Sequence, residues 1–154
     1  MLDAYIKRRD YWNPVFERFL LPETATDDDV LQMFTELMLT NFEFFAGDKE
    51  MQHVILWQIS EVNPLMQSVS EKRERGGAVL LAYTDRHFED SDIGFREIIA
   101  LLLGGIYYLV LHARFNKSTV CGIDINNEKD RKKVLKAIRY LIELVWWDAG
   151  KRAA

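Results

Sequence analysis

Glu50-Met51-Gln52-His53 spells E-x-x-H. On a helix this spacing sets a carboxylate and an imidazole on one face, as di-iron bundles require. Such a site needs a second pair of the same kind and further inward carboxylates. The other histidines, His87 and His112, have Thr84 and Leu109 three residues before them, so the second pair is missing. The motif therefore reads as the solvated first turn of a helix, and no metal or other cofactor is expected. Cys121 is the one cysteine, with no histidine within eight residues to act as its base. Gly76–Gly77 and Gly104–Gly105 fit neither of the glycine patterns that cradle phosphates, G-x-G-x-x-G and G-x-x-x-x-G-K-[ST]. "EKRER" (71–75) and "KDRKK" (129–133) mix both signs of charge and read as solvated helix faces rather than nucleic-acid patches. "DRHFED" (85–90) reads as a helix end running into a loop. No catalytic constellation remains, and enzyme activity is not expected.

The elements that would position these groups are helical almost throughout. The 154 residues suit one domain, read as 1–154, able to bury a core without disulfides. Apolar residues at 49% and charged residues at 29% are ordinary for a globular chain. A net charge of −4 argues against nucleic-acid binding by these residues alone, because phosphate contacts need clustered Lys and Arg. A lone cysteine forms no internal disulfide and points to a reducing, cytoplasmic setting. The opening "MLDAYIKRRDYW" has charges where a signal peptide needs its apolar core.

Apolar spacing predicts six helices. The first covers about 2–20, with Pro14 kinking or restarting it. The second, 27–46, is capped by Thr26, opens on three aspartates and carries the stripe Leu31, Phe34, Met38, Phe42, Phe45. The third, 49–61, is capped by Asp48, with Met51, Val54, Ile55 and Ile59 on one side. The fourth, 64–88, starts at Asn63–Pro64 and should bend or break at Gly76–Gly77. Asp92 or Ser91 can cap the fifth, 93–115. The sixth, 128–147, follows a capping-box-like Asn127 and Asp130 and has Val134, Ile138, Leu141 and Val145 on one face.

The fifth helix holds "IIALLLGGIYYLVL" (98–111), fourteen residues without charge. About 20 are needed to cross a bilayer as a helix, so a membrane span is not the expected reading. Gly104 and Gly105 each cost about 1 kcal/mol of helix propensity against Ala. A close approach of another helix would explain them. Leu135, Ile142 and Trp146 give the sixth helix a second apolar edge. Together these point to a helical interface with a second copy.

"GFREIIALLLGGIYYLVLHARF", the loop with "GIDINNEKDRKK", and "VLKAIRYLIELV" closely resemble the last two helices of TetR-type transcriptional regulators. "LDAYIKRRDYW" resembles the helix that follows the DNA-binding domain in that family, and "FFAGDKEMQHVILWQISEVNPLM" resembles its middle helices. The resemblance spans nearly the whole chain and rests on helix order, length and character rather than on a strict motif. It implies a cytoplasmic, bacterial, all-α regulatory domain of about six helices, the last two forming a four-helix bundle with the same pair of a partner. Gly104, Gly105, Tyr108, Leu135, Ile138, Ile142 and Trp146 would lie at that homodimer interface. The first five helices would surround a cavity for a small hydrophobic or aromatic effector. The candidate lining residues are Trp12, Phe16, Met38, Phe42, Trp57, Met66, Tyr83, Tyr107 and His112. The family's helix-turn-helix domain has no counterpart in these residues, so DNA binding is implied only for a longer parent. A helical dimerisation module without an effector is the alternative.

Overall fold

The structure, a computed structural model, describes residues 12–92 and 94–152. Six helices are described: α1 (Trp12–Arg18), α2 (Asp27–Gly47), α3 (Lys49–Ser60), α4 (Pro64–Asp85), α5 (Phe95–Phe115) and α6 (Glu128–Arg152). The chain is an all-α bundle. The only pairing of extended backbone among the described residues is an isolated bridge between Val120 and Ile123. The expected first helix falls mostly outside the described residues. Its described part runs through Pro14.

Local chemistry starts the helices where the sequence places the caps. Thr26 and Asp29 make a reciprocal box: the Asp29 amide donates to Thr26 Oγ1 (3.2 Å) and the Thr26 amide donates to Asp29 Oδ2 (2.8 Å). The Thr26 hydroxyl also donates to Asp29 Oδ2 (2.7 Å), and this bond, with that from the Thr26 amide, holds the Asp29 carboxyl below the ordinary carboxylate range. Asp48 Oδ1 accepts from the amides of Glu50 and Met51, and Asn63 Oδ1 from that of Leu65, with Pro64 beginning α4. Asn127 Oδ1 accepts from the Lys129 amide. Its expected box is only half made, because the Asp130 carboxylate accepts from the Asp124 amide and not from that of Asn127.

Three boundaries differ from expectation. The cap position of α5 is Gly94, which has no side chain to offer, rather than Ser91 or Asp92. α6 runs five residues further, through Gly150, because nothing after Trp147 supplies a competing turn. α4 is unbroken at Gly76–Gly77. There the missing side chain leaves room for a neighbour: a Cβ on Gly76 would run into the Phe16 ring of α1.

α2 lies at the centre, packing most extensively on α6 and also on α3 and α5, while α1 lies on α4. All five residues of its predicted stripe are buried. At one end of the bundle Phe34, Phe88, Phe95 and Trp146 form an edge-and-stack cluster with ring centroids 5.0–5.6 Å apart. Each such pair contributes about 0.5–1.5 kcal/mol beyond its buried area. His87 lies flat on Trp146 at 3.9 Å, with Nδ1 2.9 Å from Asp27 Oδ2 and Nε2 3.1 Å from the Trp146 carbonyl. It thereby ties the α4–α5 loop to α2 and α6. The α5–α6 loop narrows to a two-residue turn, Cys121–Gly122, both with positive φ (52° and 77°). Val120 and Ile123 exchange backbone hydrogen bonds across it.

α5 and α6 leave apolar side chains outside the bundle. On α5 these are Leu101 (74% exposed), Tyr108 and Phe115, seven residues apart; on α6 they are Tyr140, Leu141, Leu144 and Trp147. α5 is, by length and composition, long enough to cross a membrane, and only 22% of its apolar window is buried. The uncharged run of fourteen residues lies inside this helix, with Arg96 and Glu97 in its first turn and His112 and Arg114 in its last. Its buried residues, Phe95, Ile106, Val110, Leu111 and Ala113, belong to the core.

Candidate functional site

A cavity of about 540 Å³ lies among the first five helices, within the size range of small-molecule sites. Its floor is fully buried and apolar: Phe34 and Met38 from α2 and Leu80 from α4. Ile55 of α3 and Ile99 and Leu103 of α5 widen it. Trp12 and Phe16 of α1 stack at 5.6 Å and form one wall. Trp12 Nε1 donates to the Tyr107 hydroxyl at 3.2 Å, and Tyr107 tilts against Phe45 at 4.7 Å. Gly77 lines the cavity beside Gly76, which seats Phe16.

Polar groups come from two places. Gln58 of α3 and Ser70, Arg73 and Glu74 of α4 lie along one side. Arg73 Nη1 donates to Gln58 Oε1 at 3.1 Å, and its Nη2 lies 3.9 Å from the sulfur of buried Met51. At another edge Arg96 grips Asp85 with two bonds, Nε to Oδ1 at 3.0 Å and Nη2 to Oδ2 at 2.8 Å. The Arg96 hydrogen bond holds the Asp85 carboxyl below the ordinary carboxylate range, and the same bond pushes Arg96 up.

Four of the nine expected lining residues meet at this cavity: Trp12, Phe16, Met38 and Tyr107. The other five are placed elsewhere. Phe42 is sealed in the core. Met66 and Val69 form a small separate cluster against Trp57, whose indole donates to Glu61 at 2.7 Å. The Tyr83 hydroxyl donates to the Leu21 carbonyl (2.9 Å) and accepts from the Leu21 amide (3.2 Å), fixing the α1–α2 loop. His112 Nδ1 accepts from the Asn116 side-chain Nδ2 at 3.2 Å, and its buried Nε2 has no hydrogen-bond partner among the described residues. Each has a structural neighbour that its helix position alone did not reveal.

The expected interface residues divide in the same way. Gly104 and Gly105 are exposed, with no atom of this chain near where a Cβ would stand, and Tyr108 is exposed beside them. Ile138, Ile142 and Trp146 are buried in the chain's own core, and Leu135 is half-buried against it, so a partner would not reach the first three. Leu141, expected inward, is exposed instead. Glu50 and His53 are exposed, with His53 Nδ1 2.7 Å from the Lys49 carbonyl. Among the described residues no three His, Cys, Asp or Glu side chains gather as metal ligands.

Reading "EKRER" as a solvated face missed Arg73, which is half-buried. The signal was present in the spacing. Met66, Val69, Arg73, Gly76 or Gly77, Leu80 and Thr84 follow helical steps of three and four, which puts Arg73 in the inward stripe of α4. Comparison of the chain with protein families, with curated proteins and with solved structures returns no match.

Proposed function

We propose that the chain is the effector-sensing and dimerisation domain of a TetR-like transcriptional regulator, with a small hydrophobic or aromatic effector. The observation that carries the reading is the 540 Å³ cavity, walled by five helices and floored by buried apolar side chains. Helix order and the resemblance of the last two helices support the family. DNA recognition, in this reading, belongs to a helix-turn-helix domain outside these residues. α1 corresponds to the helix that would lead to it, and Trp12 and Phe16 of α1 touch the cavity directly. A ligand seated against them would favour one placement of α1 over another, and that difference in affinity is what moves the equilibrium.

Thermal melts against a panel of apolar and aromatic compounds test the sensing role. At least one class should raise Tm, and Ala100→Trp, which fills the cavity from its exposed side, should abolish the shift while leaving the protein folded. If no compound moves Tm in the folded protein, the effector is abandoned.

The outward apolar residues of α5 and α6 independently favour a second reading, a homodimerising helical module with no effector. Both readings place a second copy over Leu101, Gly104, Gly105, Tyr108, Leu144 and Trp147. The melts separate them.

A further inference from the structure

We propose that the cavity selects a neutral, apolar ligand with no hydrogen-bonding head group, recognised by its shape and its buried surface. This rests on the cavity being a ligand site and names the chemistry of what enters it.

The polar groups of the lining are engaged by the protein itself. Arg73 holds Gln58 Oε1 and the Met51 sulfur, and it has a further partner besides these. Arg96 gives both ends of its fork to Asp85. Ser70 Oγ donates to the Met66 carbonyl one turn back, at 3.0 Å. Trp12 Nε1 has a single hydrogen, and it goes to the Tyr107 hydroxyl. Side-chain nitrogen or oxygen atoms that are both buried and unpaired do occur among the described residues, on Asn41, Gln52 and His112. None of those three residues lines the cavity. A site built for a head group keeps a few polar groups directed at it. This lining keeps none that is buried and waiting for a partner.

Charge leads to the same ligand. Arg73 is followed by Glu74, and Arg96 is paired with Asp85, so each cation of the lining stands beside an anion. Glu74 is exposed and keeps its water. A carboxylate or an ammonium moved into this interior would lose its hydration without a charge left over to replace it. A hydroxyl would exchange its bonds to water for none. The apolar part of the lining offers what a hydrocarbon surface needs. Phe34, Met38 and Leu80 are each 1% exposed, and the stacked Trp12 and Phe16 rings stand as a wall beside them. Burial against such a surface is favourable in proportion to the apolar area removed from water and asks for no partner.

Calorimetric titration of the whole chain at neutral pH with naphthalene, 2-naphthol, 2-naphthoate and 2-naphthylmethylamine tests the assignment. The four share one ring system and differ in the head group. Naphthalene should bind about tenfold or more tighter than the anion and the cation, and 2-naphthol should bind no tighter than naphthalene. This comparison uses the unaltered protein and needs no variant to fold. Ala100→Trp should abolish the binding of naphthalene, since Ala100 lines the cavity on its exposed side. Binding retained in that folded variant would place the ligand on another surface and overturn the assignment. Tighter binding of the alcohol, the acid or the amine than of naphthalene overturns the neutral ligand while the cavity remains a ligand site. Binding of none of the four overturns both.

Discussion

Gly76 and Gly104 each begin a Gly-Gly pair inside a helix, yet their surroundings are opposite. A side chain at Gly76 would meet the Phe16 ring, and one at Gly104 would meet nothing of this chain. Gly104→Ala should therefore raise the stability of the isolated subunit by about 1 kcal/mol through helix propensity. Gly76→Ala should not show that gain, because overpacking against Phe16 costs about 1–3 kcal/mol. Urea unfolding of the two variants measures the difference, and equal gains would mean that Phe16 is not seated there. Asp85 gives a second residue-scale expectation. Its carboxyl is lowered by the bond from Arg96, so the bridge contributes fully above the unfolded carboxylate value of about 3.9 and fades as pH falls through the lower, folded value. Asp85→Asn should be less stable than the parent at neutral pH, and the two should converge on acidification. A constant gap across the acid range would show that the bridge is not what the mutation removed. Arg73 shows what sequence can disclose at this scale: its stripe position was legible, but its partners Gln58 and Met51 sit on another helix. Phe16 and Gly76 are sixty residues apart, and no local pattern links them.

Caps and stripes are local, and so the elements were legible where local chemistry decides them. Thr26, Asp48, Asn63 and Asn127 all cap in the structure, and the five-residue stripe of α2 is buried throughout. Thr26→Ala should cost about 1 kcal/mol, read from the urea midpoint, by stranding the Asp29 amide and ending the reciprocal bond. The facing of α6 was not legible. It is apolar around more than half its circumference, and successive residues differ by 100°, so the spacing fits two orientations. The structure turns Ile138, Ile142, Trp146 and Ala149 inward and Leu141, Leu144 and Trp147 outward. Ile142→Ala should accordingly cost about 2–5 kcal/mol, and Leu144→Ala far less in a dissociated subunit. Similar losses at the two positions would show that α6 is rotated from the orientation described. The unbroken α4 has the same cause as the hidden role of Gly76: a glycine pair reads as a hinge until the ring that needs the space is known.

At the scale of the molecule, the apolar residues left outside α5 and α6 need a cover. If a second copy supplies it, light scattering at micromolar concentration should give about twice the 18.1 kDa chain mass. Leu101→Glu or Leu144→Glu should halve that mass without unfolding the subunit, since both side chains are exposed. A monomer at all concentrations rules out the self-association, and recovery only in detergent or lipid would assign the face to a bilayer instead. The turn at Cys121 bears on how that contact can be watched. The thiol is exposed at the tip of the hairpin joining the two helices concerned, and it is the only thiol in the chain. A nitroxide attached there needs no engineered background and sits on a backbone held by the Val120–Ile123 bonds. In a two-fold pair every molecule carries one spin at an equivalent place, so a single interspin distance would report the crossing of the two hairpins. A change in that distance on adding a compound that raises Tm would convert occupancy of the cavity into a length measured across the assembly.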